Sequence, residues 1–445
     1  MSNPYLPNWE YIPDGEPRVF GDRVYIYGSH DRPGSDSFCD CKLKVWSAPV
    51  SDPGNWVCHG NIFLTRPDRD RAADVDWSDD MLFAPDVVEK DGKYYLYAYI
   101  VNAHGCVAVA DRPEGPFQLL SKYAFQDTPE NDRITTHGWF IDPGVLVDDD
   151  GKVYIYCGFE RSFMAQINPD NMYEIYPDSI SEHFIAPVNP DDPSSFFEAA
   201  SPRKIGNTYY MIYSPQQGSR LAYATSSSPI GPWKYRGYIV DNSVEYPGGN
   251  NHGSICKIGD QWYIFYHRMT NGTIMSRRGC VEKIEILPDG SIPYVEMTSL
   301  GFAESLNPYE IQPAEIACVL QGGCIITEKN AFTRVITNIT SKCIIGYKYF
   351  DFGEDYTSKT MRFMAETIGM GCNSTLHVYV DEVSDETEIG TCEIGLDGGV
   401  VTTYVKAITG RHAIYFMAED TNISWTADMF KGRNLYELKN FVFMK

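Results

Sequence analysis

The chain has 445 residues, more than one average domain, and its 43% hydrophobic and 22% charged residues are ordinary for a soluble globular protein. Its 60 acidic against 37 basic residues leave a formal net charge of −23, which repels phosphate backbones and acidic bilayer surfaces and argues against nucleic acid and membrane partners. No apolar run reaches the length of about 20 residues that a membrane-spanning helix needs.

The start, Met1-Ser-Asn-Pro-Tyr-Leu-Pro7, lacks the basic and apolar segments of a signal peptide, so the expected location is cytoplasmic. The 12 cysteines are then expected to be reduced and mostly buried. Cys39-Asp-Cys41 has no second Cys/His pair to complete a metal site.

In chain order, the first predicted unit is a phrase repeated five times: strand, tight turn, aromatic strand. The copies are Arg18–Tyr27, Asp86–Tyr97, Gly144–Tyr156, Arg203–Tyr213 and Ser254–Tyr266, with Gly-Asp, Asp-Gly or Gly-Asn at each turn. These residues tolerate the positive φ of a two-residue hairpin. Repetition at a period of roughly 50–70 residues is the pattern of a β-propeller, one copy per blade. The aromatic content of 14% suits stacked sheets, and also sugar rings. Polar, proline-rich loops separate the copies, at Asp31–Cys39, Thr65–Asp80, Asp127–Thr136 and Pro187–Ser195.

Acidic residues stand just before four of these strands. Asp14 precedes the first in Ile12-Pro-Asp-Gly15, Asp86 opens the second in Ala84-Pro-Asp86, Asp142 precedes the third in Ile141-Asp-Pro143, and Glu198 precedes the fourth in Phe196-Phe-Glu-Ala-Ala200. A carboxylate among apolar neighbours is costly unless paired or used. Taken singly, each could merely cap a turn. Together they suit glycoside hydrolysis, where one carboxylic acid protonates the leaving oxygen and one carboxylate activates water or attacks directly. Glu198, beside Phe196 and Phe197, is expected to be held protonated by desolvation, and Asp14, in a more polar setting, to stay ionised. Pattern alone does not separate Asp86 from the other three. Ser29-His30-Asp31 resembles a relay in composition only, because consecutive strand residues point to opposite faces; Asp31 or His30 is still a candidate to line a pocket.

Over about the first 300 residues these motifs resemble glycoside hydrolase family 43. The resemblance implies a five-bladed β-propeller and an inverting glycosidase that releases terminal pentoses (α-L-arabinofuranosidase, β-D-xylosidase or both) from plant oligosaccharides. Endo-acting arabinanase and non-catalytic sugar-binding propeller are the alternatives. It implies Asp14 as general base, although Gly15 stands where a proline is common, Glu198 as general acid and Asp142 as the residue that tunes and orients the acid. Asp86 becomes a pocket residue without a proton-transfer role. His252, in Gly249-Asn-Asn-His-Gly-Ser254, resembles a histidine that helps hold an axial calcium ion through water. No cofactor is needed for the chemistry. Of Arg277-Arg278, one is expected at the active site, with Arg278 favoured. Phe83, Trp139 and Phe140 are candidates for an apolar platform under a sugar ring.

A last hairpin is expected around Ile286–Ile292, and a domain boundary near residue 305. Beyond it, short alternating strands at Arg334–Ile339, Cys343–Tyr349, Thr360–Glu366, Thr375–Val380, Arg411–Met417 and Leu438–Phe443 predict an antiparallel β-sandwich over 306–445. Ile311–Glu315, Gly410–Phe416 and Leu435–Phe443 loosely resemble a family 6 carbohydrate-binding module. With one tryptophan beyond residue 300, Trp425, the sequence favours a brace over a sugar binder. It carries no signal for oligomeric state.

Overall fold

The computed structural model describes residues 2–102, 105–121, 140–186, 189, 191–421 and 431–445. The first two strands of every propeller sheet are the repeated phrase. Blade one is Glu16–Phe20, Arg23–Tyr27, Lys42–Pro49 and Val57–Leu64, hydrogen-bonded in that order. Blades two to four repeat the meander from Leu82 to Ser121, from Gly144 to Glu182 and from Phe196 to Asp241, and blade five has Ser254–Ile258, Gln261–Thr270 and Thr273–Ile284. The Asp91-Gly92 turn shows why the turn residues matter: both have positive φ, 54° and 75°, which matches the twist of the strands it joins. The second strand of each blade is almost wholly buried, Leu96, Tyr97, Ala98 and Ile100 in blade two for example, because it is packed between neighbouring blades.

The inner strands close a ring: that of blade one adjoins those of blades two and five, and those of blades two, three and four adjoin in sequence. The N-terminal segment completes blade five, with Tyr5 N donating to Gly279 O at 3.2 Å and Asn3 exchanging bonds with Val281, both at 2.9 Å. The hairpin expected at Ile286–Ile292 is instead a tight turn outside any sheet, closed by Leu287 N to Ser291 O at 2.9 Å.

The later strands form two antiparallel sheets. One runs Ile325–Asn330, Thr333–Thr337, Tyr436–Met444, Thr360–Gly369, Gly398–Lys406; the other Val319–Gln321, Ile344–Asp351, Arg411–Asp420, Ser374–Val380, Glu388–Ile394. All six expected strands fall in them; Val319–Gln321, Ile325–Asn330, Glu388–Ile394 and Gly398–Lys406 were not foreseen. Rings from the two sheets meet between them, Phe416 against Phe441 at 4.9 Å and against Phe363 at 5.5 Å. This core is continuous with Tyr266 and Cys280 of blade five and Tyr210 and Ile212 of blade four. The two halves therefore share apolar packing.

Candidate active site

A cavity of about 430 Å³ opens where the five inner strands begin, a size usual for a small-ligand site. Asp14, Asp142, Glu198, His252 and Arg277 face it, and Phe38, Phe83, Ile141, Phe159, Phe197 and Ile274 form most of its apolar wall. The phrases thus deliver their polar residues to one place, from blades one, three, four and five.

Asp14 is only 5% exposed, and burial by itself would raise its pKa. Arg277 overrides this: its Nη1 donates to Asp14 Oδ1 at 2.8 Å and holds the carboxyl far below the usual carboxylate range. Arg277 is itself fixed by fully buried Asp31, with Nε to Oδ2 and Nη2 to Oδ1 both at 2.9 Å, and its guanidinium lies 4.9 Å over the Phe38 ring. His267 positions the backbone. Its Nε2 sits 3.1 Å from two acceptors, the carbonyl and side-chain oxygens of Asn250, so Nε2 carries the proton. Nδ1 then accepts the Asp14 N–H at 3.3 Å. Asp14 has a φ of 55°, a left-handed conformation that Asp adopts more readily than most residues.

Glu198 is in the opposite state. Burial, and next the charge of Asp14, push its pKa up to about 7, against the opposing pull of Arg277. Asp142 is also raised, by burial, by Glu198 and by Asp14. Two buried carboxyls that repel each other keep a proton between them into the neutral range. Asp142 accepts the Ala199 N–H, which favours its ionised form, whereas no hydrogen bond reaches the Glu198 carboxyl among the described residues. That difference biases the shared proton toward Glu198. The backbone that arranges this is unusual, with Asp142 at φ 52° and Ala199 at φ 66°. His252, its pKa pushed down to about 4 by burial, is neutral above that pH.

The predicted residues separate into three groups. Asp14, Asp142, Glu198, His252 and Phe83 line the cavity. Asp31 acts one step back, through Arg277. The others lie elsewhere: Asp86 is buried on the inner strand of blade two, bidentate to Arg18 at 2.9 and 2.6 Å, and Phe140 packs in the core against Gly105. His30 bonds Glu10 and Asp40. Trp139 and the loop Asp127–Thr136 lie outside the described residues. The preference for Arg278 is corrected: Arg277 reaches the cavity, and Arg278 points to the other sheet face, where Nη1 donates to Glu315 Oε2 at 3.0 Å. Adjacent strand residues must take opposite faces, so only one of the pair can enter. His267, Phe38, Phe159 and Ile274 were missed. His267 follows directly on the fifth aromatic strand, and that position was its available signal.

The surroundings of His252 do not fit a calcium site built from protein oxygens. Its near carboxylates are Asp14 and Asp142, and among the described residues no cluster of His, Cys, Asp and Glu could hold a metal. Calcium takes six to eight oxygens. Deeper on the axis the anions are already neutralised. Glu16 pairs with Arg203, Asp86 with Arg18, and Ser201 Oγ bonds Glu16 Oε2 at 2.9 Å and Ser254 Oγ at 2.7 Å. Arg18 Nη2 also reaches Val145 O at 3.1 Å, so all five blades meet in this one network.

A model of the glycosyl hydrolases family 43 matches residues 14–292. A xylosidase/arabinosidase of Thermoclostridium stercorarium is 40% identical over 402 residues, 78% of this chain and 82% of that protein. An arabinoxylan arabinofuranohydrolase of Paenibacillus polymyxa is 27% identical over 443 residues, 90% of this chain and 69% of that protein. Among solved structures, the GH43_1 enzyme from Xanthomonas citri complexed with xylose superposes with a TM-score of 0.56 at 26% identity, covering 66% of this chain and 93% of that one. An arabinoxylan arabinofuranohydrolase from Bacillus subtilis, at 24% identity, shares the fold across 100% of this chain and 97% of its own, with a TM-score of 0.54.

Proposed function

As the chain belongs to glycosyl hydrolases family 43, we propose that this glycoside hydrolase is an exo-acting, inverting enzyme that removes terminal L-arabinofuranose or D-xylose from arabinoxylan, arabinan or xylan oligosaccharides. The observation that carries the reading is the pair of carboxyls held in opposite protonation states around one cavity, Asp14 ionised by Arg277 and Glu198 protonated by burial. Asp14 takes a proton from water as that water attacks the anomeric carbon. The bond from that carbon to the glycosidic oxygen breaks, and the Glu198 proton passes to the leaving oxygen. Asp142 orients Glu198 and sets how firmly its proton is held. Phe38, Phe83, Phe159 and Phe197 give the sugar an apolar wall, since C–H faces pack well on aromatics.

In this reading residues 1–305 are the catalytic propeller, and 306–445 an accessory sandwich whose role is to brace. A cytoplasmic enzyme would meet short imported oligosaccharides. The test is a panel of nitrophenyl pentosides and arabinoxylan oligosaccharides, with the anomer of the first-formed sugar read by proton NMR. Release of an inverted pentose is expected. Absence of hydrolysis on the whole panel, or a retained anomer, overturns the corresponding part.

A further inference from the structure

The second and third strands of blade five have two differently employed faces. Their register pairs His267 with Gly279, Arg268 with Arg278 and Met269 with Arg277. His267 and Arg277 therefore share the face toward the cavity, where both hold Asp14. Arg268 and Arg278 share the opposite face, which meets the sandwich. There Arg268 donates to Ala317 O and Glu315 O, both at 2.6 Å, and Arg278 to the Glu315 carboxylate at 3.0 Å. Both arginines are buried, and Glu315 supplies a carboxylate where two guanidinium charges have left water. The hairpin tip is clamped as well: Asn271 N donates to Ile326 O at 2.7 Å, and Glu328 N donates to Asn271 Oδ1 at 2.8 Å. A third tie reaches the Asp14 segment itself. Tyr11 OH donates to Glu328 Oε2 at 2.8 Å, and Tyr11 O accepts the N–H of Asp31 at 2.9 Å.

We infer that the sandwich is part of the catalytic apparatus, and that Glu315 is a positioning residue that holds the two blade-five strands so that Arg277 and His267 stay seated on Asp14. The inference rests on the reading of Asp14 as the general base. Three other groups face Asp14, His252, Asp142 and Glu198, and Asp31 acts on it through Arg277. None of these touches the sandwich through a described hydrogen bond, so loosening the seam acts on Asp14 through the blade-five strands.

The test is Glu315→Gln in the full chain, read by pentoside hydrolysis across pH. The expected result is a kcat lowered about tenfold, KM changed far less, and the acid limb of kcat/KM moved upward by about one pH unit, because an unseated Arg277 stabilises ionised Asp14 less well. Gln321→Ala, which removes a bond to Glu245 elsewhere on the seam, is expected to leave the profile in place. A folded Glu315→Gln enzyme with the wild-type pH profile refutes the inference, whatever its melting temperature, because a merely structural role moves stability alone. If Glu315→Gln does not fold, Asn271→Gly decides. Glycine keeps the positive φ of 55° and the backbone bond while deleting the side-chain clamp, and a profile that stays put refutes the inference. If the wild type cleaves no pentoside, it is the functional reading that fails. Melting temperature against pH then decides this point: the acid loss of stability tied to Asp14 must begin at higher pH in Glu315→Gln, and an unchanged onset refutes it.

Discussion

Arg277→Met removes a cation while keeping much of the side-chain volume, and two buried carboxylates lose their partner. In the wild type the guanidinium bonds Asp14 at 2.8 Å and Asp31 twice at 2.9 Å. With the charges about 4 Å apart and an effective dielectric of about 20, the Asp14 pair alone is worth about 4 kcal/mol, or about three pKa units. Taking one partner from a buried pair costs about 3–5 kcal/mol of stability. Two consequences have a definite sign. Wild-type Asp14 titrates below its unfolded value, so its contribution to stability is present above about pH 4 and lost as pH falls further. In the variant His267 and His252 still oppose burial, so the folded pKa moves up by about three units toward the unfolded one without passing it. The stability tied to Asp14 keeps its sign but shrinks, so the melting temperature of the variant falls less steeply below about pH 4 than that of the wild type. The rate follows the same shift: the acid limb of kcat/KM moves up by about two to three units, toward the ordinary carboxylate range. Pentoside hydrolysis from pH 3 to 9 and calorimetry over the same range measure both. An acid limb that does not move refutes the electrostatic account of Asp14.

Asp14→Asn and Glu198→Gln should each lower kcat at least about a hundredfold on an activated pentoside; full activity in either would exclude its assigned role. Asp142→Asn keeps shape and tolerates the φ of 52°, but ends the repulsion with Glu198, so the alkaline limb, near pH 7 in the wild type, should move about one unit toward acid. Asp86→Asn should lower the melting temperature, because Arg18 loses its bidentate partner, while the best rate across pH stays within about tenfold of wild type; a loss as deep as that of Asp14→Asn would put Asp86 among the proton-transfer groups. Chelation should change neither melting temperature nor rate, since guanidiniums already neutralise the axial carboxylates; a fall in either would show a cation held through water.

The propeller was legible because each blade repeats a local signal, a positive-φ turn between an apolar strand and an aromatic one, and local signals survive without tertiary context. The three acids were legible because a carboxylate flanked by Ile141 or by Phe197 must be explained. What sequence did not show is pairing across blades. Arg277 bonds Asp14, 263 positions away, and nothing local to Arg277-Arg278 says which of the two faces inward. The sandwich strands Glu388–Ile394 and Gly398–Lys406 escaped for a different reason. Gly398–Lys406 carries exposed Val400 and Tyr404 beside polar residues, and Glu388–Ile394 has Gly390 and Thr391 between its apolar positions, so the inside–outside alternation is weak. Phe140 looked like a platform residue, yet Gly105 leaves room for its ring in the core: a Cβ there would lie 2.0 Å from it.

The case of Asp86 was decidable in principle from spacing. On the structure, Glu16 lies opposite Tyr27, Asp86 opposite Tyr97 and Gly144 opposite Tyr156. These tyrosines close the aromatic strand of the first three copies, so they mark a common depth along the axis. Counted back from them, Asp86 stands level with Glu16, whereas Asp14 and Asp142 sit two residues nearer the mouth. In these blades the axis therefore carries a column: a mouth residue just before the inner strand, then a deeper one on it. In blade one the column is Asp14, Glu16, Arg18, and in blade five His252, Ser254. The mouth layer is electrostatically split, Asp14 ionised and the Asp142–Glu198 pair holding a proton, as proton transfer requires. The next layer is matched charge for charge, Glu16 with Arg203 and Asp86 with Arg18. That matching favours the split above it. An unneutralised anion just beneath the mouth would raise the proton affinity of Asp14 along with that of Glu198, and the two roles would converge. Asp86 thus serves the chemistry from one layer down, by keeping the axis neutral.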